Sequence, residues 1–216
     1  MALNLLETVQ EDTSISSQQT FPFNPIDGTQ YNNAGIVQIN IENQAEYFLP
    51  SQSWLEIEGQ LLQADNQAYA AAANVALVNN AAMFCFSNIK YYLGGSVIES
   101  VNQPGQATTI MGLLKYERNS PGLQSCWAID TTANANDDNI GWKKRKDYML
   151  SSNPTGHFSF AINLAHIFGF TEDYDEAVFG LHHSLQLNRK ASSNDGIFRA
   201  NGVAAGKINI TRVIEF

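Results

Sequence analysis

Apolar and polar residues alternate one for one in several short stretches of this chain, and that period of two narrows the available folds more than any other feature. In Ile36 to Ile41, Val37, Ile39 and Ile41 alternate with Gln38 and Asn40. From Trp54 to Leu61, Leu55, Ile57 and Leu61 alternate with Glu56, Glu58 and Gln60. Successive side chains of a strand point to opposite faces, so each stretch reads as a strand with one buried face. Ile89, Tyr91 and Leu93 share a face, and Gly94-Gly95 followed by Val97 to Val101 completes a strand, tight turn, strand hairpin. The pattern returns in Phe158, Phe160, Ile162 and Leu164, again from Leu181 to Leu187, and in Lys207 to Phe216 through Ile208, Ile210, Ile214 and Phe216. Phe84, Phe86, Tyr91, Tyr92, Phe158 and Phe160 sit on alternating strand positions, where they are expected to build a core rather than to stack on sugars or bases.

The segments between these strands are less regular. Ala107, Ile110, Leu113 and Leu114 fall at helical spacing before the breaker Ser120-Pro121-Gly122, which predicts one short amphipathic helix from about Ala107 to Tyr116. Asp65 to Asn80 is rich in alanine and asparagine, keeps no helical stripe, and reads as an insertion or loop. Residues 122–156 read as the longest surface excursion, with the polar run Thr131 to Asp138 and the basic run Lys143 to Lys146. Residues 1–20 are polar without a sustained period and read as a flexible arm, leaving 21–216 as a single domain. A chain of 216 residues is long enough to bury a core without disulfides or a metal. Short strands, long loops and one helix describe a β-sandwich with Greek-key-like crossings.

Few residues of the chain fall into patterns that carry chemistry. With 12 basic and 21 acidic residues the net charge is -9, which argues against a surface that grips nucleic acid or anionic lipid along its whole extent. Cys85 and Cys126 have no metal-ligand or redox spacing and suit a reduced, intracellular setting. Met1 to Glu7 lacks the basic and apolar regions of a signal peptide, and no stretch approaches the ~20 apolar residues of a membrane span. Asn209-Ile210-Thr211 matches a glycosylation acceptor but falls within a strand pattern. Gly202 to Lys207 is one residue short of a phosphate loop, and Ile208 stands where a hydroxyl must meet magnesium. Glu172, Asp173, Asp175 and Glu176 lack the glycine and final glutamate of a calcium loop. His182 and His183 point to opposite strand faces, and with His157 and His166 they form no convergent set for a cupin-type metal enzyme. No catalytic residue, cofactor or metal is expected, and the chain does not read as an enzyme. Lys143, Lys144, Arg145 and Lys146 are the only concentrated positive charge, a basic loop expected to meet solvent, a neighbouring subunit or, at most locally, nucleic acid.

Four stretches carry a family likeness, in order along the chain: Tyr47 to Gly59 (YFLPSQSWLEIEG), Ser87 to Leu114, Phe158 to Asp175 (FSFAINLAHIFGFTEDYD), and Val178 to Arg199, which contains GLHHSLQLNRK and NDGIFR. Together they resemble the double-jelly-roll major capsid proteins of the Polinton and adintovirus-like group. That resemblance narrows the sandwich to an all-β, eight-stranded jelly roll with long loops and one short helix. It implies two jelly rolls per subunit standing perpendicular to a capsid surface, three subunits to a pseudo-hexagonal capsomer, and an icosahedral shell. The partners would be further copies and other capsid proteins, and the location the virion capsid, after assembly inside the host cell. The chain stops at Arg212 to Phe216, where the family runs on into a second jelly roll, so it reads as the first half alone, a truncated copy, or a shortened homologue. Interface energy concentrates on aromatic and arginine anchors, which makes Trp54, Arg118, Trp127 and Trp142 the expected contact residues. The rival reading is a lectin-like jelly roll that holds carbohydrate through exposed tryptophan and neutral amides.

Overall fold

The alternating stretches form strands in the computed structural model, which describes residues 17–26, 31–32, 34–42, 45–116, 121–152, 155–192 and 194–216. The strands are β1 (Ile36–Ile41), β2 (Tyr47–Phe48), β3 (Trp54–Gln63), β4 (Val75–Leu77), β5 (Phe86–Leu93), β6 (Ser96–Asn102), β7 (His157–Asn163), β8 (Val178–Phe179), β9 (His183–Arg189), β10 (Ile197–Arg199) and β11 (Gly206–Glu215). The helices are α1 (Ala81–Phe84), α2 (Pro104–Lys115), α3 (Ile140–Leu150) and α4 (Gly169–Asp173). The arm expected over residues 1–20 lies outside the described residues except for 17–20.

The long strands pair as a single antiparallel ribbon folded back on itself. β5 pairs with β6 across the Gly94-Gly95 turn, β3 with β7, and β1 with β9. The outermost pair is β11 with the short extended segment at Phe23, joined by the Phe23 and Glu215 amides, each donating to the other's carbonyl. Numbered along the chain, these eight strand positions pair first with eighth, second with seventh, third with sixth and fourth with fifth. Wrapping that ribbon gives two sheets. One runs from the Phe23 segment through β11 and β3 to β7, and the other is ordered β1-β9-β5-β6. This is the eight-stranded jelly roll, with β2–β8 and β4–β10 as two short added ribbons. The turn of the innermost hairpin needs positive φ at both Gly94 and Gly95, which L side chains adopt only under strain.

The inward faces meet as predicted. Ile39, Leu55, Ile57, Leu61, Phe86, Ile89, Tyr91, Phe158, Phe160, Leu185 and Leu187 all pack in one core. Each large apolar side chain so buried contributes ~1.5–3 kcal/mol. In β11 the simple alternation breaks. A bulge between Ile210 and Arg212 shifts the register, so Val213 and Glu215 lie opposite Ile57 and Leu55. One extra residue reverses the parity of everything after it, and a glutamate enters the core.

The helices differ more from expectation. Residues 65–80 are not all loop, because Val75, Ala76 and Leu77 form the buried β4 against β10. Residues 122–156 likewise contain α3, so Lys143 to Lys146 lie on a helix and not on a loop. Asn139 starts it, its side chain accepting from the Trp142 amide, and Trp142, Arg145, Met149 and Leu150 supply its buried face. α2 stands where a helix is predicted but with its polarity inverted. Its buried residues are Pro104, Gly105, Thr108 and Gly112, and its large apolar side chains point outward.

Candidate functional site

Three places in this fold could carry function: the end of the sandwich near Trp54, the polar groups inside its core, and the basic helix α3.

At the first, the chain from Ser17 to Phe23 runs beside β2 and the start of β3, leaving a groove of about 500 Å³. Its walls combine aromatic rings (Phe21, Tyr47, Phe48, Trp54, Phe216) with the amides of Gln18, Gln19 and Gln52. Trp54 is half-buried, stacked on Phe216 with ring centroids 5.2 Å apart and planes 12° from parallel. Gln18 Nε2 donates to Gln52 Oε1 at 2.9 Å, which bridges the groove with neutral polar groups. Tyr47 pairs with Phe179 at 4.9 Å on the outer lip.

Beneath this end lie Tyr91, His183 and Glu215, each essentially inaccessible to solvent. The Tyr91 hydroxyl and His183 Nδ1 share a 2.6 Å hydrogen bond. Phe48 packs on the His183 ring, and Phe168 and Phe170 on Tyr91. Burial, with a smaller contribution from His182, lowers the His183 pKa to about 4 and keeps the imidazole neutral. Burial likewise raises the Glu215 carboxyl to about 8, and neither of its oxygens has a hydrogen-bond partner. Its field, after burial, helps hold the Tyr91 phenol well above its ordinary value. These are reactive residue types, but they are sealed under aromatic rings, out of reach of a substrate. No hydrophobic pattern points to Glu215, because only the bulge turns it inward.

The basic run proves largely neutralised. Lys143 Nζ pairs with Asp147 at 2.8 Å, Arg145 Nη2 with Asp130 at 2.6 Å and Lys146 Nζ with Asp137 at 3.4 Å. Arg145 is buried, donating from Nε to the Leu77 carbonyl at 2.7 Å and from Nη1 to that of Ala128. Lys146 also lies 5.0 Å over the Trp142 ring. Lys144 is exposed to solvent.

Of the expected contact anchors, only Trp54 has a ring near the surface. Trp142 is fully buried, its indole Nε1 donating to the Phe198 carbonyl at 3.1 Å. Trp127 is buried against Gly112, Tyr116 and His166. Both tryptophans, expected at the surface as contact anchors, lie in the core instead: Trp127 packs beneath α2, and Trp142 is on the inward face of α3 itself. Arg118 lies outside the described residues.

Cys85 and Cys126 are free and buried, and burial pushes the Cys126 thiol up to about 11. Glu172 of the acidic stretch pairs with Lys115 at 2.6 Å. Among the described residues no group of three or more His, Cys, Asp or Glu side chains could hold a metal ion, and no helix is long and apolar enough to cross a membrane.

Residues 75–215 match the family model described as the double jelly roll-like domain. No curated protein sequence matches the chain. Among solved structures, the mavirus major capsid protein superposes with a TM-score of 0.57 at 12% identity, covering 100% of this chain and 50% of that one. A chain of the PBCV-1 virus capsid superposes at 0.44 with 10% identity, covering 95% and 44%. The likeness to the mavirus protein is one of fold, and this chain spans half of that protein's length.

Proposed function

The chain belongs to the double jelly roll-like family, and on that premise we propose that it is a viral capsid protein, a rigid wall block that self-associates into capsomers of an icosahedral shell. The observation that carries this reading is the nested pairing of eight strand positions into a jelly roll, in a chain whose family match covers residues 75–215. The likeness of fold to the mavirus major capsid protein supports the same role. Residues 21–216 then act as one jelly-roll unit and 1–20 as an arm. Function is mechanical: two sheets locked by a shared core resist bending, and contacts between copies set the geometry of the shell. No catalysis is part of this reading. The sealed Tyr91, His183 and Glu215 act on stability, and α3 serves the fold, with Lys143 and Lys144 its exposed basic side chains. Trimeric capsomers, other capsid proteins as partners and a virion location follow from the reading.

The test is absolute mass by light scattering after size exclusion, with negative-stain images of the same peak. Trimers, hexagonal plates or shells are expected. A monomer across a wide concentration range overturns self-assembly by this chain.

One observation favours a second reading, a carbohydrate-binding jelly roll: the 500 Å³ groove combines aromatic faces with neutral amides, the pairing that suits sugar C–H faces and hydroxyls. A glycan array settles between the two. Signal that disappears in Trp54→Ala supports the second reading, and no binding above background removes it.

A further inference from the structure

We infer that the outward face of α2, on the open flank of the sandwich, is a contact surface for a second copy of this chain. The inference rests on the capsid reading and names the surface that reading leaves open.

Residue size along α2 is the first observation. The helix lies against the core through Pro104, Gly105, Thr108 and Gly112, and there is no room for more. A Cβ at Gly105 would sit 2.5 Å from the Phe84 ring, and one at Gly112 would sit 2.3 Å from the Trp127 ring. The large apolar residues of the same helix are outside: Ile110 is 61% exposed, Met111 55%, Leu113 51% and Leu114 82%. A surface helix normally turns such side chains toward its own core. Here the small residues fix the helix close to the sandwich, and four apolar side chains stand in water.

The area involved is the second observation. Four large side chains exposed to this degree make an apolar patch of several hundred Å² on one helix, at the upper end of what a soluble monomer leaves open and much of the ~800 Å² that each partner gives to a standard interface. The patch lies beside β6, which pairs only with β5 among the described residues and leaves Val97 and Ile98 exposed.

Charge selects the partner. The chain carries a net charge of -9, so two copies repel wherever their charged surfaces meet. Residues 91–114, which include β6 and nearly all of α2, contain one charged residue, Glu99. Its carboxylate is already engaged, accepting from the Gly169 and Phe170 amides at 3.1 and 2.9 Å. At the end of α2, Lys115 is paired with Glu172. A cationic or anionic partner finds no counter-charge on this face, whereas another copy of the acidic chain meets it there with little electrostatic penalty.

The test replaces two outward residues by neutral ones of similar length, Met111→Gln with Leu114→Gln, which leaves the net charge unchanged. Tyr47→Gln, an exposed apolar position on the separate β2–β8 ribbon, is the control. Light scattering over a concentration series is read for all three proteins, with thermal unfolding to verify the fold. The expected result is association at least tenfold weaker in the α2 variant and unchanged in the control. In the wild type, hydrogen exchange of residues 104–115 should slow as concentration rises, a reading that does not depend on any variant folding. If the wild type assembles and the α2 variant assembles equally well with no change in exchange, the α2 inference fails and the capsid reading stands. Equal weakening by Tyr47→Gln also overturns the inference, because the effect is then not specific to α2. A wild type that stays monomeric overturns both.

Discussion

Replacing Glu215 by Gln should flatten the alkaline limb of the stability profile, the largest pH effect built into this fold. The wild-type carboxyl is fully buried, unpartnered and protonated up to about pH 8, against an ordinary value of 4.5. Between those two values the unfolded chain has released a proton that the folded chain still holds, so folding stability falls as pH rises. Stability from this group is complete below pH 4.5 and lost through pH 8, at about 1.4 kcal/mol per pH unit and about 5 kcal/mol in all. Gln keeps the shape and cannot ionise. Urea unfolding of both proteins at a series of pH values should show the variant gaining several kcal/mol on the wild type between pH 5 and pH 9. Parallel profiles would remove Glu215 as the cause. The acid limb has the opposite sign. His166 and His183 are both lowered to about 4, chiefly by burial, so their contribution is present above 6.5 and lost as pH falls toward 4. With the two histidines gaining and the one carboxyl losing, these three groups place the optimum near pH 6.5.

The second large effect is expected at Arg189, at the end of β9. Its guanidinium donates from Nε to the Tyr31 carbonyl at 3.0 Å, from Nη1 to Cys85 at 2.6 Å and from Nη2 to Ile208 at 3.1 Å. Those carbonyls belong to three separate segments, and Ile208 is in the opposite sheet, so one side chain bolts the two sheets together. Arg189→Met fills most of the volume and leaves three buried acceptors without these donors. Each lost charge-assisted bond costs ~1.5–3 kcal/mol, partly offset by removing a buried charge, for a net loss of about 4 kcal/mol. Arg189→Lys should recover little of it, because a point charge cannot serve three directions at once. Denaturant midpoints for the two variants decide the matter, and a Met variant within ~1 kcal/mol of wild type would refute the bolt.

The main strands were legible because a half-buried strand must alternate; β1 and β7 follow that rule throughout, and β3 follows it from Trp54 to Leu61. Where the rule failed, a physical cause can be named. In β11 Ile208, Ile210 and Ile214 suggest one face, but the bulge after Ile210 turns Val213 and Glu215 to it. A bulge leaves no mark in hydrophobicity. α3 escaped notice because one of its inward positions is Arg145, whose charge interrupts the apolar stripe until its carbonyl and Asp130 partners are known. α2 could be placed but not oriented. Its rotation is set by the Phe84 and Trp127 rings, which admit only small residues, and both lie far from the helix in any pattern of period 3.6. The same blindness put Trp127 and Trp142 on the surface, since a tryptophan in a polar stretch looks exposed until the element covering it is found. Trp54 was legible as a strand residue, while its stack on Phe216 depends on a pairing between distant parts of the chain.

The nested pairing of the strands also sets an order of assembly within one molecule. The innermost pair closes over a two-glycine turn, and each outer pair joins segments more distant in sequence. Loop closure becomes costlier with length, but a pair already formed inside shortens the loop that the next must close. Folding is therefore cheapest as a zipper running from the hairpin outward, with the Phe23 segment and β11 last. Until β11 docks, one edge of β3 stays unpaired and part of the core face of its sheet stays wet. During synthesis this is the interval of greatest exposure to aggregation, and it ends only when the last strand is free to reach its place.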